Sequence, residues 1–239
     1  MSGLLTDPST GSGQAKTVLV TGGTRGIGRA ITQALRRDGA TVVVHARSDA
    51  DVTGDLSVPG GAEHVWAKAV AIHGRIDVLI NNAGAWIASP VDDAAAWDDG
   101  WTANLALNLL APATLCRLAI EHFQRHGGGV IVNLASRSSH RGDDAEHLAY
   151  GAAKGGLLAL TKGIARGFAR DRILAYAVAP GWVATDLAGP EVAAQAATLP
   201  MGQVTPPEDV AEVVAFLASG RSPHTTGATI DITGADYVR

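Results

Sequence analysis

The chain is short of cysteine: Cys116 is the single one among 239 residues, so no disulfide can close within it. Its setting in Ala113-Thr114-Leu115-Cys116-Arg117-Leu118 predicts a buried helix position with a structural role. Excess basic charge is also lacking. The formal net charge of -4 supplies no field for nucleic acid, and no block of like charge marks an interaction tail. No 18 apolar residues run together, since residues 157–169 are broken by Lys162, Gly163 and Arg166, and no membrane span is predicted. No second His or Cys stands at ligand spacing from His45, so no metal site is predicted and His45 reads as a core or edge residue. Residues 1–16 lack the basic-then-apolar order of a signal peptide, and their Ser, Gly, Thr and Pro predict a flexible tail. Repeats and low-complexity segments are absent. What remains is a cytoplasmic protein with small-molecule partners, neither nucleic acid nor membrane.

Apolar residues make up 46% of the sequence, enough for one sizeable core, and residues 17–239 are read as a single domain. Residues 17–20 form a short β-branched run. Thr21-Gly22-Gly23-Thr24-Arg25-Gly26-Ile27-Gly28 follows, then a helical pattern through Ala30, Ile31, Ala34 and Leu35. A strand, a glycine-rich turn and a helix in that order predict a dinucleotide cradle, with the helix N-terminus facing a pyrophosphate. The spacing is Gly22-x3-Gly26-x-Gly28, and no Gly-Lys-Ser/Thr follows, which excludes a P-loop. A second strand over residues 41–45 ends in Ala46-Arg47-Ser48. An acid at that tip would hold a ribose 2′-hydroxyl, whereas arginine suits a 2′-phosphate. Arg47 and Arg25 therefore favour NADP(H) over NAD(H), although Asp49 and Asp51 lie near the position of an NAD-type acid.

Only residues 48–54 separate Arg47 from Asp55-Leu56-Ser57. A parallel crossover with its helix needs at least about ten residues. The helix after the second strand is therefore predicted to be shortened or absent, and the third strand missing or vestigial.

Residues 62–73 read as a helix leading to the apolar strand 76–80, which ends in Asn81-Asn82-Ala83-Gly84. Small and amide residues at a strand's carboxyl end are where ligands lie in open α/β sheets. A long helix over residues 97–126 holds Asn104 and Asn108, and the strand 130–134 leads into a loop with Ser136, Ser138 and Ser139. Tyr150-Gly151-Ala152-Ala153-Lys154 opens another helix. Residues four apart share a face, so the Lys154 ammonium is expected to draw the Tyr150 phenol from about pH 10 toward neutrality, where it can exchange a proton with a substrate oxygen. A strand over residues 173–178 runs into Ala179-Pro180-Gly181-Trp182-Val183-Ala184-Thr185. Residues 186–204 read as a substrate lid, 207–219 as a helix and 228–232 as the last strand.

Thr21-Gly22-x3-Gly26-x-Gly28, Asn81-Asn82-Ala83-Gly84 and Tyr150-x3-Lys154, in this order and spacing, resemble the short-chain dehydrogenase/reductase family, and 3-oxoacyl-carrier-protein reductases within it. The resemblance extends to Ser136, to Asn108 in Asn108-Leu109-Leu110-Ala111-Pro112, and to Pro180-Gly181 with Thr185. It implies a Rossmann-type three-layer α/β fold and NADP(H)-dependent hydride transfer between nicotinamide and a carbonyl or secondary alcohol. Tyr150 would be the general acid/base and Lys154 would lower its pKa and hold the nicotinamide ribose. Ser136 would bond the carbonyl or alkoxide oxygen, and Asn108 would seat a relay water. The implied cofactor set is Gly22, Thr24, Arg25, Gly26, Ile27, Gly28, Arg47, Asp55, Leu56, Asn82, Ala83, Gly84, Tyr150, Lys154, Pro180, Gly181, Val183 and Thr185. Asp55 would meet adenine and Thr185 the carboxamide.

Three positions depart from the family pattern or offer rivals. Ser136 stands fourteen residues before Tyr150, one more than usual, which makes Ser138 a rival; Asn104 rivals Asn108; and Tyr176 stands where the family often has Asn. Trp86, Ile87 and Trp182 would line an apolar pocket. The apolar faces of the two long helices suggest a homotetramer or dimer. The alternative function is a catalytically silent dinucleotide-binding sensor or scaffold of the same fold.

Overall fold

The computed structural model describes residue 5 and residues 15–185 and 192–239. Its centre is a parallel sheet of seven strands in the order β3-β2-β1-β4-β5-β6-β7. The strands are β1 (Thr17–Thr21), β2 (Thr41–Ala46), β3 (Val52–Thr53), β4 (Val78–Asn81), β5 (Gly129–Leu134), β6 (Ile173–Pro180) and β7 (Thr229–Ile232). Val18, Val20, Val44, Ile80, Val132 and Val178 face one layer, packing with α1 (Gly26–Arg37) and α8 (Pro207–Ser219). Their strand neighbours Leu19, Val43, Leu79 and Ile131 face the other, against α2 (Gly61–His73), α4 (Ala111–His126) and α6 (Leu148–Phe168). Alternation of side chains along a strand sends successive residues to opposite faces, so apolar runs without polar interruption need a helix layer on both. Each fully buried Leu or Ile contributes roughly 1.5–3 kcal/mol to that packing.

Strand order reverses between β1 and β4, and a ligand crevice opens at such a point, outside the strands' carboxyl ends. Thr21-Gly22 and Asn81 to Gly84 both end there. Between β2 and β3 no helix forms, as the residue count requires. Residues 47–51 turn the chain back, with Asp49 at a φ of 52°, and β3 pairs with the tip of β2 over two residues only. The Asp51 carboxylate accepts the Val44 N–H at 2.9 Å, replacing a ladder bond that a longer third strand would make.

The long helical stretch begins at Ala94, three residues before the sequence pattern suggests, because Asp93 caps α3 (Ala94–Leu105) by accepting the Ala95 and Ala96 N–H groups. A π turn over Ala106–Leu110 joins α3 to α4. Over Ala94–His126 the stretch has an 18-residue window of mean hydropathy 1.4, long and apolar enough to cross a membrane by those measures. It is nonetheless a core helix, with Leu115, Cys116, Ala119 and Phe123 buried in the sheet's second layer. In the segment read as a flexible tail, Leu5 is buried in the first layer and its N–H donates to the Asp38 carbonyl, while Lys16 donates its N–H back to Leu5. The tail reading therefore does not hold at those two points. Tyr176 is a core residue whose hydroxyl donates to the Ser222 carbonyl at 3.2 Å.

Candidate active site

The floor of the crevice is stitched by Thr21 and Asn82. The Thr21 hydroxyl accepts the N–H groups of Asn82 and Ala83, both at 3.0 Å, and the Asn82 amide donates to the carbonyls of Thr21 and Gly22. The β1 and β4 tips are thereby fixed to each other. A Cβ on Gly28 would fall 2.0 Å from the Gly22 carbonyl oxygen, so only glycine lets the first turn of α1 close on the loop before it. Gly26 sits at a φ of 51° with Thr185 across from it, 3.2 Å from where its Cβ would stand. The glycine turn and the segment after β6 therefore meet.

On the opposite wall stand Ser136, Tyr150 and Lys154, which line one cleft with Ile27, Asn82, Gly84, Pro180, Gly181, Val183 and Thr185. Lys154 is buried and its ammonium donates to the Leu134 carbonyl at 2.7 Å, at the end of the strand that delivers Ser136. Burial draws the Lys154 ammonium down to about 8. The Tyr150 phenol behaves opposite to the sequence expectation. Desolvation pushes it up to about 12, the Ser136 hydrogen bond pulls it down and Asp143 adds to the rise. Lys154 does not reverse this because its ammonium is 5.8 Å from the ring centroid and turned to Leu134. The phenol thus keeps its proton through the neutral range.

Ser136 and its rival Ser138 have different partners. The Ser136 hydroxyl accepts the Ser138 N–H at 3.1 Å and lies near enough to the Tyr150 phenol to lower its pKa, whereas the Ser138 hydroxyl donates to Asp143 at 2.7 Å. Asn108 is fully buried in the π turn. Its side-chain oxygen accepts the Ala85 N–H, and its amide donates to the Ala85 carbonyl and to Asn104. Asn104 in turn donates to the carbonyls of Ile87 and Gly100 and accepts the Asn108 amide. Pro112, four residues on, has no N–H for the Asn108 carbonyl, which leaves that backbone oxygen without its α-helical donor.

A scan against family models matches residues 22–234 to one described as enoyl-(acyl carrier protein) reductase. The 3beta-hydroxysteroid dehydrogenase 1 of Eggerthella lenta is 35% identical over 249 residues, covering 92% of this chain and 93% of that protein. The 3-oxoacyl-acyl-carrier-protein reductases FabG of Thermotoga maritima and Escherichia coli are 32% and 31% identical, covering 92% and 94% of this chain and 97% and 98% of theirs. The chain is a short-chain dehydrogenase/reductase. As such it is an oxidoreductase that uses a nicotinamide dinucleotide on C=O or CH–OH groups of small molecules.

The crevice of this short-chain dehydrogenase/reductase fits that cofactor. Gly84 leaves room that a Cβ would fill, 2.7 Å from the Asn108 side-chain oxygen and 3.3 Å from the Lys154 ammonium, so any side chain there would intrude between them. At the far end Arg25 and Arg47 are exposed. The Asp51 carboxylate accepts the Val44 N–H, and Asp49 stands exposed at the turn, so both acids lie near the β2 tip. Asp55 accepts the Ser57 N–H and hydroxyl, at 2.8 and 2.6 Å, which holds its carboxyl below the usual range, with Arg47 a further contributor. Thr24 is exposed in the glycine turn and Leu56 is buried beneath β3.

The substrate side of the reductase carries groups the motifs do not announce. Trp86 lies flat on His147, ring centroids 3.6 Å apart, and His147 is held by Asp144 at 2.7 Å. Trp182 stands edge-on to Trp86 at 6.1 Å, with the Arg137 guanidinium 5.2 Å over its ring. Arg137 is paired with Asp236 in the C-terminal segment, and His140 stacks on Tyr237. The tail thus clasps the loop after Ser136. Of the proposed lid, residues 186–191 lie outside the described residues, and Thr205 returns to bond the backbone of Trp182 and Ala184. Asp143 and Arg137 were missed as cleft residues. The extra residue between Ser136 and Tyr150 was their only signal.

Proposed function

We propose that this reductase transfers hydride from NADPH to a ketone or aldehyde, with Tyr150 giving the proton and Ser136 bonding the developing alkoxide. One observation carries the reading: Ser136, Tyr150 and Lys154 line one cleft with the glycine turn and Thr185 at the sheet's switch point. A bound nicotinamide supplies or accepts hydride. The chain's residues hold it through the glycine turn, Lys154 and Thr185, shape the carbonyl's seat and deliver the proton. Charge that builds on the carbonyl oxygen is met by two hydroxyls already in place. Asn108 would act in proton supply through its main-chain carbonyl, since its side chain is engaged by Ala85. Arg25 and Arg47, both exposed beside the β2 tip, favour the 2′-phosphate of NADP(H).

The test is a carbonyl and alcohol panel read by NADPH and NADH absorbance across pH 6 to 9. The phenol's folded value lies above its free value, so its proton is present throughout this range and reduction needs no deprotonation. Reduction should hold level to about pH 8 and then fall as Lys154 loses its charge. Alcohol oxidation needs phenolate and should rise about tenfold per pH unit until Lys154 titrates. Oxidation independent of pH would remove Tyr150 from the role, and tight NADPH binding without turnover on any member would restore the silent scaffold.

Leu115, Phe123, Leu157 and Ile164 are used in the core. Leu105, Leu109, Leu118, Leu160 and Phe168 remain half-exposed on the same helices, and Leu110 is 60% exposed. This face supports a dimer or tetramer joined through α3, α4 and α6. Light scattering should give a multiple of the chain mass; a monomer would overturn it. A cytoplasmic location accords with the single reduced and buried Cys116.

A further inference from the structure

We infer that Asp143 is a substrate-recognising carboxylate that selects carbonyl compounds bearing a hydrogen-bond donor, a hydroxyl or a protonated amine, close to the reacting carbon. The inference rests on the reductase reading of the same cleft and adds its substrate class. Gly142, at φ 80° and ψ -177°, turns the chain back after the short helix α5 (Ser138–Arg141). The turn lays Asp143 on the first turn of α6: a Cβ on Gly151 would stand 3.4 Å from the Asp143 nitrogen and 3.7 Å from its Cβ. Gly151 follows Tyr150, so the acid is seated next to the proton donor, and both line the cleft. The negative charge it sends to the phenol is a second sign of that proximity.

The carboxylate is anchored but not neutralised. One oxygen accepts the Ser138 hydroxyl at 2.7 Å and the other the Asp144 N–H at 3.0 Å. A carboxylate offers about four acceptor directions, so two remain. Among the described residues no Lys, Arg or His comes within ion-pair distance of it; the Arg137 guanidinium lines the same cleft and feels its charge, but its ion pair is with Asp236. A half-buried carboxylate with acceptor directions left open gains a hydrogen bond from a ligand donor placed there. Trp86 and Trp182 form the cleft's apolar walls, which suit a flat body and favour a cationic group at their faces. An anionic group at the same place would meet like charge.

The experiment uses the full chain with NADPH and four probes: acetophenone, α-hydroxyacetophenone, α-dimethylaminoacetophenone and benzoylformate. Affinity is read from quenching of tryptophan fluorescence, and turnover from NADPH absorbance. The hydroxy and ammonium probes should bind about tenfold or more tighter than acetophenone, with benzoylformate weakest. Asp143→Asn keeps an oxygen for Ser138 and loses the charge, so it should shrink the ammonium-to-acetophenone ratio about tenfold and restore benzoylformate binding. Asp143→Ala should lose the preference for both donors. Equal ratios in the parent and Asp143→Asn would overturn the inference while leaving the reductase reading intact. If none of the probes is turned over, the reductase reading loses its support, yet the affinity ratios still decide the role of Asp143.

Discussion

Tyr150→Phe should lower kcat for carbonyl reduction by about 10³-fold, within the range that a placed general acid contributes, and leave NADPH affinity little changed. The substitution removes one oxygen from a half-buried ring and keeps the ring's packing. Ser136 stays in place to bond the carbonyl, so a residue of turnover should survive. Single-turnover kinetics would show the loss in the chemical step. A fall of less than about tenfold would mean that the proton comes from another group. Lys154 is a poorer site for the same question. Removing its ammonium would strand the buried Leu134 carbonyl, a cost of about 1–3 kcal/mol that mixes stability with catalysis.

Replacing Arg25 and Arg47 together by Ala should reduce kcat/KM for NADPH by about 10²-fold and leave NADH nearly unaffected. A hydrogen bond to a charged group is worth about 1.5–3 kcal/mol, and two such contacts at an exposed 2′-phosphate fall toward the lower end through screening. Because both side chains are exposed, stability should barely change. The decisive quantity is the ratio of the two cofactors. Equal losses on NADPH and NADH would place the arginines on the shared pyrophosphate, and an unchanged ratio would end the case for NADP(H).

Much of this molecule was legible from its residues because some constraints are local and countable. The strand, glycine turn and helix over residues 17–37 needed only sequence order, and the absence of a helix between β2 and β3 needed only a count of residues. The different partners of Ser136 and Ser138 could not be read from sequence, since they depend on where the Asp143 carboxylate is folded. The direction of the Tyr150 shift was also hidden. Helical spacing puts Lys154 on the right face, but whether its charge or desolvation prevails depends on where the ammonium points, and it points at Leu134. Asp143 was hidden for a related reason. Nothing in Arg141-Gly142-Asp143-Asp144 distinguishes a solvent turn from one folded onto α6, and Leu5 likewise docks by tertiary contact alone.

The brief link from β2 to β3 bears on more than the cofactor's adenine end. An open parallel sheet that lacks a full third strand would ordinarily present β2 as a bare border, a template on which a second chain could add a strand. Here the border is blunted twice. Val52 and Thr53 cover the tip of β2, and Asp51 places a carboxylate on the Val44 N–H that an incoming strand would need. A two-residue outer strand gives too little length to hold a neighbour. The brief link thus guards the sheet against edge-to-edge aggregation with a two-residue strand and one acidic side chain.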